Sequence, residues 1–292
     1  MTFNRLTAGS LSIVWAAACM TAASASAQGG PAPLPPAPKV ARPLWEVGLS
    51  VGALTLPDYR GAADRTSYLL PIPYVVYRGD WLRADREGAR AVLLDAQRLE
   101  VDVSVNASPP SRSDSRGPRA GMDDLPATVE LGPNVNYTLW RAASGRAKLD
   151  LRLPVRAVMT LERSPRHIGG VFAPHVNLDL ADLAGGWRLG LQAGPLFGTR
   201  RYHHHFYGVD AADAQAGRPA YRARGGYGGW QALAAVSRRF ERTWVGAFIR
   251  YDHLGGARFA DSPLVERRHG VTAGVGVSWV LMNSERRVLV EE

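Results

Sequence analysis

The chain has a single cysteine, Cys19, and it falls within the first 27 residues. Once that segment is removed the remainder holds no thiol, which excludes disulfides, cysteine-ligated zinc and thiol catalysis. Long apolar runs are also missing. Nothing after residue 27 reaches 18 consecutive apolar residues, so no helix of the mature chain is expected to cross a bilayer. Blocks of like charge are absent too: the formal charge is +9, but Lys and Arg stand singly along alternating segments, which speaks against nucleic acid as a partner. A hydrophobic content of 46% with a mean hydropathy of −0.14 is too polar for a helical membrane protein. It suits a transmembrane β-barrel, in which only every second residue faces lipid.

The N-terminus sets the expected compartment. Arg5 precedes an apolar stretch over 11–20, and small residues end in Ala25-Ser26-Ala27. These are the three regions of a secretory signal, with cleavage expected after Ala27. Ser10 and Ser12 interrupt the apolar run, leaving it well short of the roughly 20 residues a spanning helix needs. Cys19 as a lipid acceptor is the minor alternative, because Ala16 stands where such sites usually have Leu. Removing residues 1–27 takes away Arg5 and no acid, so the formal charge becomes +8. A basic exported barrel implies anionic partners, outer-membrane lipid and lipopolysaccharide or cell wall, at its surface. Residues 28–43 are rich in Gly, Pro and Ala and read as an extended periplasmic linker.

From residue 44 onward, two-residue alternation replaces any helical period. Trp45, Val47, Leu49, Val51 and Ala53 share one face against Glu46, Gly48, Ser50 and Gly52. Leu99, Val101, Val103 and Val105 alternate with Glu100, Asp102, Ser104 and Asn106, and the segment 129–139 repeats the pattern. Further strands are expected at 68–78, 81–86, 89–95, 148–161, 171–180, 187–198, 230–240, 243–251 and 271–281. A soluble sandwich alternates as well, but it buries its apolar face, whereas a membrane barrel turns that face outward. Links at 79–80, 143–146 and 241–242 are short, while 108–126 and 199–226 are long, as periplasmic turns differ from extracellular loops. Trp45, Trp81, Trp140, Trp187, Trp230, Trp244 and Trp279 are candidates for interfacial girdles, with a core role the alternative for each. The expected fold is all-β: an antiparallel transmembrane β-barrel of about 10–12 strands over 44–281. A charged tail, 282–292, follows it.

Four short stretches then carry a resemblance. They are Pro57-Asp58-Tyr59-Arg60-Gly61, Leu70-Pro71-Ile72-Pro73, Ala127-Thr128-Val129-Glu130-Leu131-Gly132 and Asp261-Ser262-Pro263-Leu264-Val265. In this order they resemble the MltA-interacting protein (MipA/OmpV) family of outer-membrane proteins. The resemblance implies a barrel that acts as a non-enzymatic scaffold, bridging a lytic transglycosylase and a penicillin-binding protein in peptidoglycan enlargement. Other members resemble porins, antigens or adhesins, and a small-solute porin or surface adhesin is the alternative function. The resemblance also implies an aromatic C-terminal residue read during barrel assembly. Here Trp279-Val280-Leu281 is followed by the charged tail, so either those three residues act as an internal signal or assembly is unusual.

The remaining candidates are weaker chemistry. His203, His204 and His205 are consecutive in a long loop; adjacent loop side chains diverge, whereas zinc wants about four converging ligands. A solvated aromatic and histidine-rich loop is expected, with no metal or other cofactor. Ser262, Asp261, His253 and His269 supply the residue types of a nucleophilic triad. Asp-Ser-Pro reads better as a turn, in which Asp and Ser bond back to their own backbone, and no enzyme activity is expected. Pro57 to Gly61 is likewise expected to form the turn leaving the first strand, with Tyr59 as a rim anchor. Inward positions include Glu100, Asp102, Glu130, Asp150, Arg152, Arg156, Arg188 and Arg250, a mixed set for either a narrow channel or a plugged, ion-paired lumen.

Overall fold

The computed structural model describes residues 34–36, 38–85, 88–113 and 117–291; the expected signal segment, 1–27, lies outside the described residues. In chain order the strands are β1 (Lys39–Pro43), β2 (Trp45–Pro57), β3 (Arg65–Arg78), β4 (Leu82–Asp85), β5 (Gly88–Asp95), β6 (Leu99–Ser108), β7 (Thr128–Arg141), β8 (Ala147–Thr160), β9 (His167–Phe172), β10 (His175–Leu183), β11 (Trp187–Gly198), β12 (Gly226–Phe240), β13 (Thr243–His253), β14 (His269–Asn283) and β15 (Arg287–Glu291). Among the described residues one α-helix, α1 (Arg200–Tyr207), lies between β11 and β12, followed by a single 3-10 turn at Ala211–Asp213.

Strands β2 to β14 close into an antiparallel barrel in which β14 pairs back onto β2. Strands β9 and β10 follow one another in a single strand position, both lying between β8 and β11. The wall therefore has 12 strand positions. The break between β9 and β10 falls at Ala173 and Pro174, where proline has no N–H for the ladder. Most barrel strands run 10 to 15 residues, and about 9–11 tilted residues suffice to cross a bilayer.

The pleat separates two solvents. Leu49, Leu69, Val75, Leu131, Val155, Ile249, Val275 and Leu281 point outward and are exposed, Leu69 by 75% and Leu281 by 66%. Glu46, Asp102, Asn134, Asp150, Asn177, Ser237, Asp252 and Thr272 point inward and are buried. Each large apolar side chain held in water forfeits about 1.5–3 kcal/mol relative to burial. A belt of them would therefore consume the roughly 5–15 kcal/mol that stabilises a soluble domain. Apolar outside and polar inside is the membrane barrel, and the sandwich is excluded. Tryptophans gather at the short-turn end, where Trp45, Trp81, Trp140, Trp187 and Trp279 stand at strand ends. Trp244 departs from this girdle: it shares the inward face with Ser278 and Gly246 and its ring lies over that glycine.

The linker and the tail meet. Within the expected linker β1 pairs with β15 from the expected tail, in register from Lys39↔Glu291 to Pro43↔Arg287. Leu44 N–H donates to Arg286 O at 2.8 Å and Ser284 N–H to Trp45 O at 3.0 Å, which ties this two-stranded ribbon to the short-turn end. The barrel strand β14 runs to Asn283, two residues beyond the expected boundary.

Candidate functional site

Inside the barrel the charges stand in layers. Nearest the short turns, Glu46 is fully buried and takes Arg78 at 3.0 Å and Arg239 at 2.8 Å, linking β2, β3 and β12 across the lumen. Above it, Asp102 accepts from Asn134 and Asn136 at 3.0 and 2.9 Å, while Asp150 accepts from Thr138 at 2.9 Å. Glu100 meets Arg83 at 2.9 Å. Glu130 and Arg156 approach to 3.8 Å, and Arg156 donates to Ser104 at 3.2 Å. At the long-loop end, Asp252 receives Arg60 at 2.8 Å, Arg250 at 3.0 Å and Gln231 at 2.9 Å. Burial by itself lowers the affinity of Arg60 for its proton, yet the facing Asp252 carboxylate holds it above the ordinary arginine value. A buried pair is stable only with such extra hydrogen bonds; Arg60 also donates to Gly228 O at 3.1 Å.

Arg60 does not belong to the wall. It descends from the loop between β2 and β3, one of four loops that cap this end. Tyr59 and Ala62 from that loop pack with Leu125 from the β6–β7 loop, Tyr207, Val209 and Ala223 from the β11–β12 loop, and Leu254, Ala257, Phe259 and Leu264 from the β13–β14 loop. Tyr207 stacks on Phe259 at 3.6 Å. Its hydroxyl donates to Arg60 O at 2.9 Å, and that of Tyr59 to Leu264 O at 2.6 Å. Burial raises the pKa of both phenols, so each remains a donor at any ordinary pH. Arg218 and Arg119 stitch the polar layer: Arg218 donates to Pro118 O and Ala120 O, Arg119 to Phe206 O and Asp123 O.

The histidine-rich loop corrects the expectation of a solvated segment. Residues 200–207 form a helix whose N-cap, Thr199, accepts from Tyr202 N–H and also from Gly170 N–H at 3.0 Å, fastening the helix to β9. His203 is fully buried, bonds Arg224 O through Nδ1 at 2.7 Å and packs on Phe259 at 4.6 Å. Burial lowers its pKa, and that of His205 to about 4, so both rings are neutral near pH 7. His204 instead reaches Asp210 at 3.3 Å. The three rings serve separate neighbours, and among the described residues no group of three metal-ligating side chains converges.

The other singled-out residues fall into two places. Pro57 ends β2, Gly61 has φ +103° and its carbonyl accepts from Glu266 and Arg267 N–H, so the first and last motifs meet in the cap. Ser262 there is buried, donating to Tyr207 O at 2.8 Å and accepting from Leu264 N–H, while Pro263 adjoins it and Asp261 is 92% exposed. The candidate triad is not assembled: Ser262 donates to Tyr207 O, while His269 bonds His253 at 3.2 Å and Tyr251, where β13 and β14 pair. Pro71 and Pro73 lie in β3, and Glu130 and Gly132 on the inward face of β7, outside the packed core of the cap, with Glu130 near enough to Tyr202 of α1 to act on its phenol electrostatically. Asp252, the centre of the upper layer, went unnoticed in the sequence; its only signal is its inward place in an alternating strand.

Comparison with known proteins adds the following. The family description "MltA-interacting protein MipA" matches residues 49–281. A curated relative, outer membrane protein OmpV of Vibrio cholerae, is 27% identical over 170 residues, covering 57% of this chain and 59% of that relative. Among solved structures, a bacterial polysaccharide outer membrane secretin aligns with a TM-score of 0.42 and 9% identity over 81% of this chain and 99% of that one. The Pseudomonas putida toluene transporter TodX aligns with a TM-score of 0.28 and 12% identity over 84% and 68%.

Proposed function

Because the chain belongs to the MltA-interacting protein MipA family of outer-membrane barrels, we propose that it is a non-enzymatic scaffold, exported with cleavage after Ala27, that brings together a lytic transglycosylase and a penicillin-binding protein. The observation that carries this reading is the family match, which spans the barrel from 49 to 281. Two features support a scaffold over a small-solute porin. The long-loop mouth is closed by a packed core, and the lumen is crossed by the Glu46 and Asp252 ion pairs. The working surfaces are then the wall and the short-turn end, where the β1–β15 ribbon stands. Short turns face the periplasm in barrels of this kind, so the ribbon is on the side where murein enzymes act.

The test is a pull-down of the tagged full chain from crosslinked cell envelopes. Recovery of a murein transglycosylase together with a penicillin-binding protein is expected. Recovery of neither, with well-resolved single-channel currents in a planar bilayer, would replace the scaffold with the porin reading; recovery of neither with binding to host surfaces would favour an adhesin.

A further inference from the structure

The barrel wall is not continuous between β3 and β6. Strand β3 bonds to β2 through its even-numbered residues: Arg78 N–H donates to Leu44 O at one end, Asp58 N–H to Asp64 O at the other, and the register between is unbroken. Its odd-numbered residues therefore aim N–H and C=O at the opposite neighbour. That neighbour, β4, meets β3 only at Tyr77↔Ala84 and Arg78↔Arg83. On the far side, Thr138 N–H donates to Arg98 O, which assigns the even-numbered residues of β6 to β7 and turns Val105 and Ala107 toward the same space. Strand β5 follows β6 only as far as Arg90↔Ser104. Above the β4–β5 hairpin, whose Gly88 lies against Val105 O, no strand among the described residues fills the interval between Leu69 to Val75 of β3 and Ala107 of β6. Tyr68 OH donating to Pro110 O at 3.1 Å bounds it on the long-loop side.

The two edges are chemically finished as edges. Pro71 and Pro73 hold two of the four odd-numbered positions from 69 to 75, and proline has no N–H to leave orphaned in hydrocarbon. Across the interval, Ala107 N–H is met by the Asn106 side chain at 2.9 Å. The same prolines deny an incoming β-strand its ladder, so strand addition by a partner does not suit this edge. Leu70 and Ile72 face the lumen, opposite Gly52 and Ser50, yet are 38% and 46% exposed. They continue inward the apolar surface that Leu69 and Val75 present outside. The facing rim is polar, with Ser104, Asn106 and Arg156, whose Nε is buried without a hydrogen-bond partner.

We infer that this interval is a lateral portal through which an acyl chain of the surrounding membrane reaches the lumen, its hydrocarbon along Leu70 and Ile72 and its polar end toward Ser104 and Arg156. With the long-loop mouth capped, the side is the open route for such a chain. The inference is independent of the scaffold reading and stands or falls without it.

Since the chain without residues 1–27 has no cysteine, single cysteines carry a fluorophore to chosen positions. Full barrels with Ile72→Cys, or Leu70→Cys as a second site on the same face, are labelled, confirmed as folded by heat-modifiable migration, and reconstituted in phosphatidylcholine vesicles brominated at mid-chain. Val275→Cys, outward, and Ser237→Cys, inward on a fully paired strand, set the limits. Quenching at residues 70 and 72 comparable to that at 275, and well above that at 237, is expected. Quenching at 70 and 72 no greater than at 237 overturns the portal, including the case in which iodide reaches them and shows water there instead.

Discussion

Arg60 and Asp252 meet at 2.8 Å with side-chain exposures of 15% and 4%, so neither charge has much water to fall back on. Removing Asp252 strands Arg60 and Arg250 together, and a buried charge left without its partner costs about 3–5 kcal/mol, whereas removing Arg60 leaves Asp252 with Arg250 and Gln231. Asp252→Ala should therefore loosen the cap, seen as faster trypsin cleavage in the loops, and more strongly than Arg60→Ala does. Equal losses in the two variants would mean that Asp252 does not hold the two arginines jointly. Gly61 presents a different constraint. At φ +103° any side chain is strained, and a Cβ there would stand 3.0 Å from Leu254. Gly61→Val should lower the yield of heat-modifiable folded barrel. Tyr59→Phe removes only the bond to Leu264 O, leaving a buried acceptor at about 1–3 kcal/mol, and should fold with a lower midpoint. The histidines of α1 give the cap a pH sense. The folded pKa of His205 is lowered by burial and by Arg119 and Arg166, against a smaller opposing effect of Glu162. The unfolded loop therefore takes up protons first, and stability falls as pH drops from about 6.5 toward the folded value of about 4, below which the loss is complete. Cap protection against an acid-active protease such as pepsin should decline across that window, and His205→Gln should flatten the decline.

Among the elements, β3 combines the most conflicting demands, because one of its edges is bonded to β2 and most of the other is open. Pro71→Val with Pro73→Val restores two N–H groups on the open edge. Each unsatisfied group costs about 1–3 kcal/mol, so the double variant should lose its heat-modifiable form at a lower temperature in gel-shift assays, and an unchanged midpoint would show that these positions are paired after all. Strands were the legible part of this chain. Alternation sustained over eight or more residues, as in Trp187–Gly198 and Leu99–Ser108, is a property of the segment itself. It also marked the inward charges Glu100, Asp102, Glu130, Asp150, Arg152, Arg156 and Arg250. Their pairing was not legible, since which carboxylate meets which guanidinium depends on registers fixed by other strands. Three elements escaped for the same physical reason. Helix α1 has eight residues, barely two turns, and its burial comes from Phe259 and β9 rather than from its own pattern. Strands β1 and β15 have five residues each and stabilise only each other across nearly the whole chain. Trp244 turned inward because Gly246 leaves room for its ring, a pairing of large and small that alternation does not encode. The motif residues Pro57, Tyr59, Gly61, Ser262 and Pro263 stood out as turn chemistry, but that both turns join one cap follows only from the closure of β14 onto β2.

At the scale of the whole molecule, the barrel keeps a polar interior that is largely consumed by its own ion pairs and an apolar belt that needs lipid. Conduction through a barrel requires a continuous wet path, and here two obstacles stand in series: the cap, held on the wall by Thr199 and Arg60, and the Glu46 layer near the short turns. Obstacles in series make a specific prediction, because removing one leaves the other limiting. Replacing residues 200–225 with a short glycine-serine turn should raise planar-bilayer conductance only slightly. Combining that deletion with Glu46→Ala and Arg239→Ala, which clears the second layer and leaves Arg78 bonded to Pro43 O alone, should raise it by far more than either change alone. Both sets of barrels must first show heat-modifiable migration, so that a leak is not mistaken for a pore. A large conductance in the unaltered protein would instead mean that the cap opens in the membrane. The lumen would then be a working channel, and the case for the wall and the periplasmic end as the functional surfaces would fail.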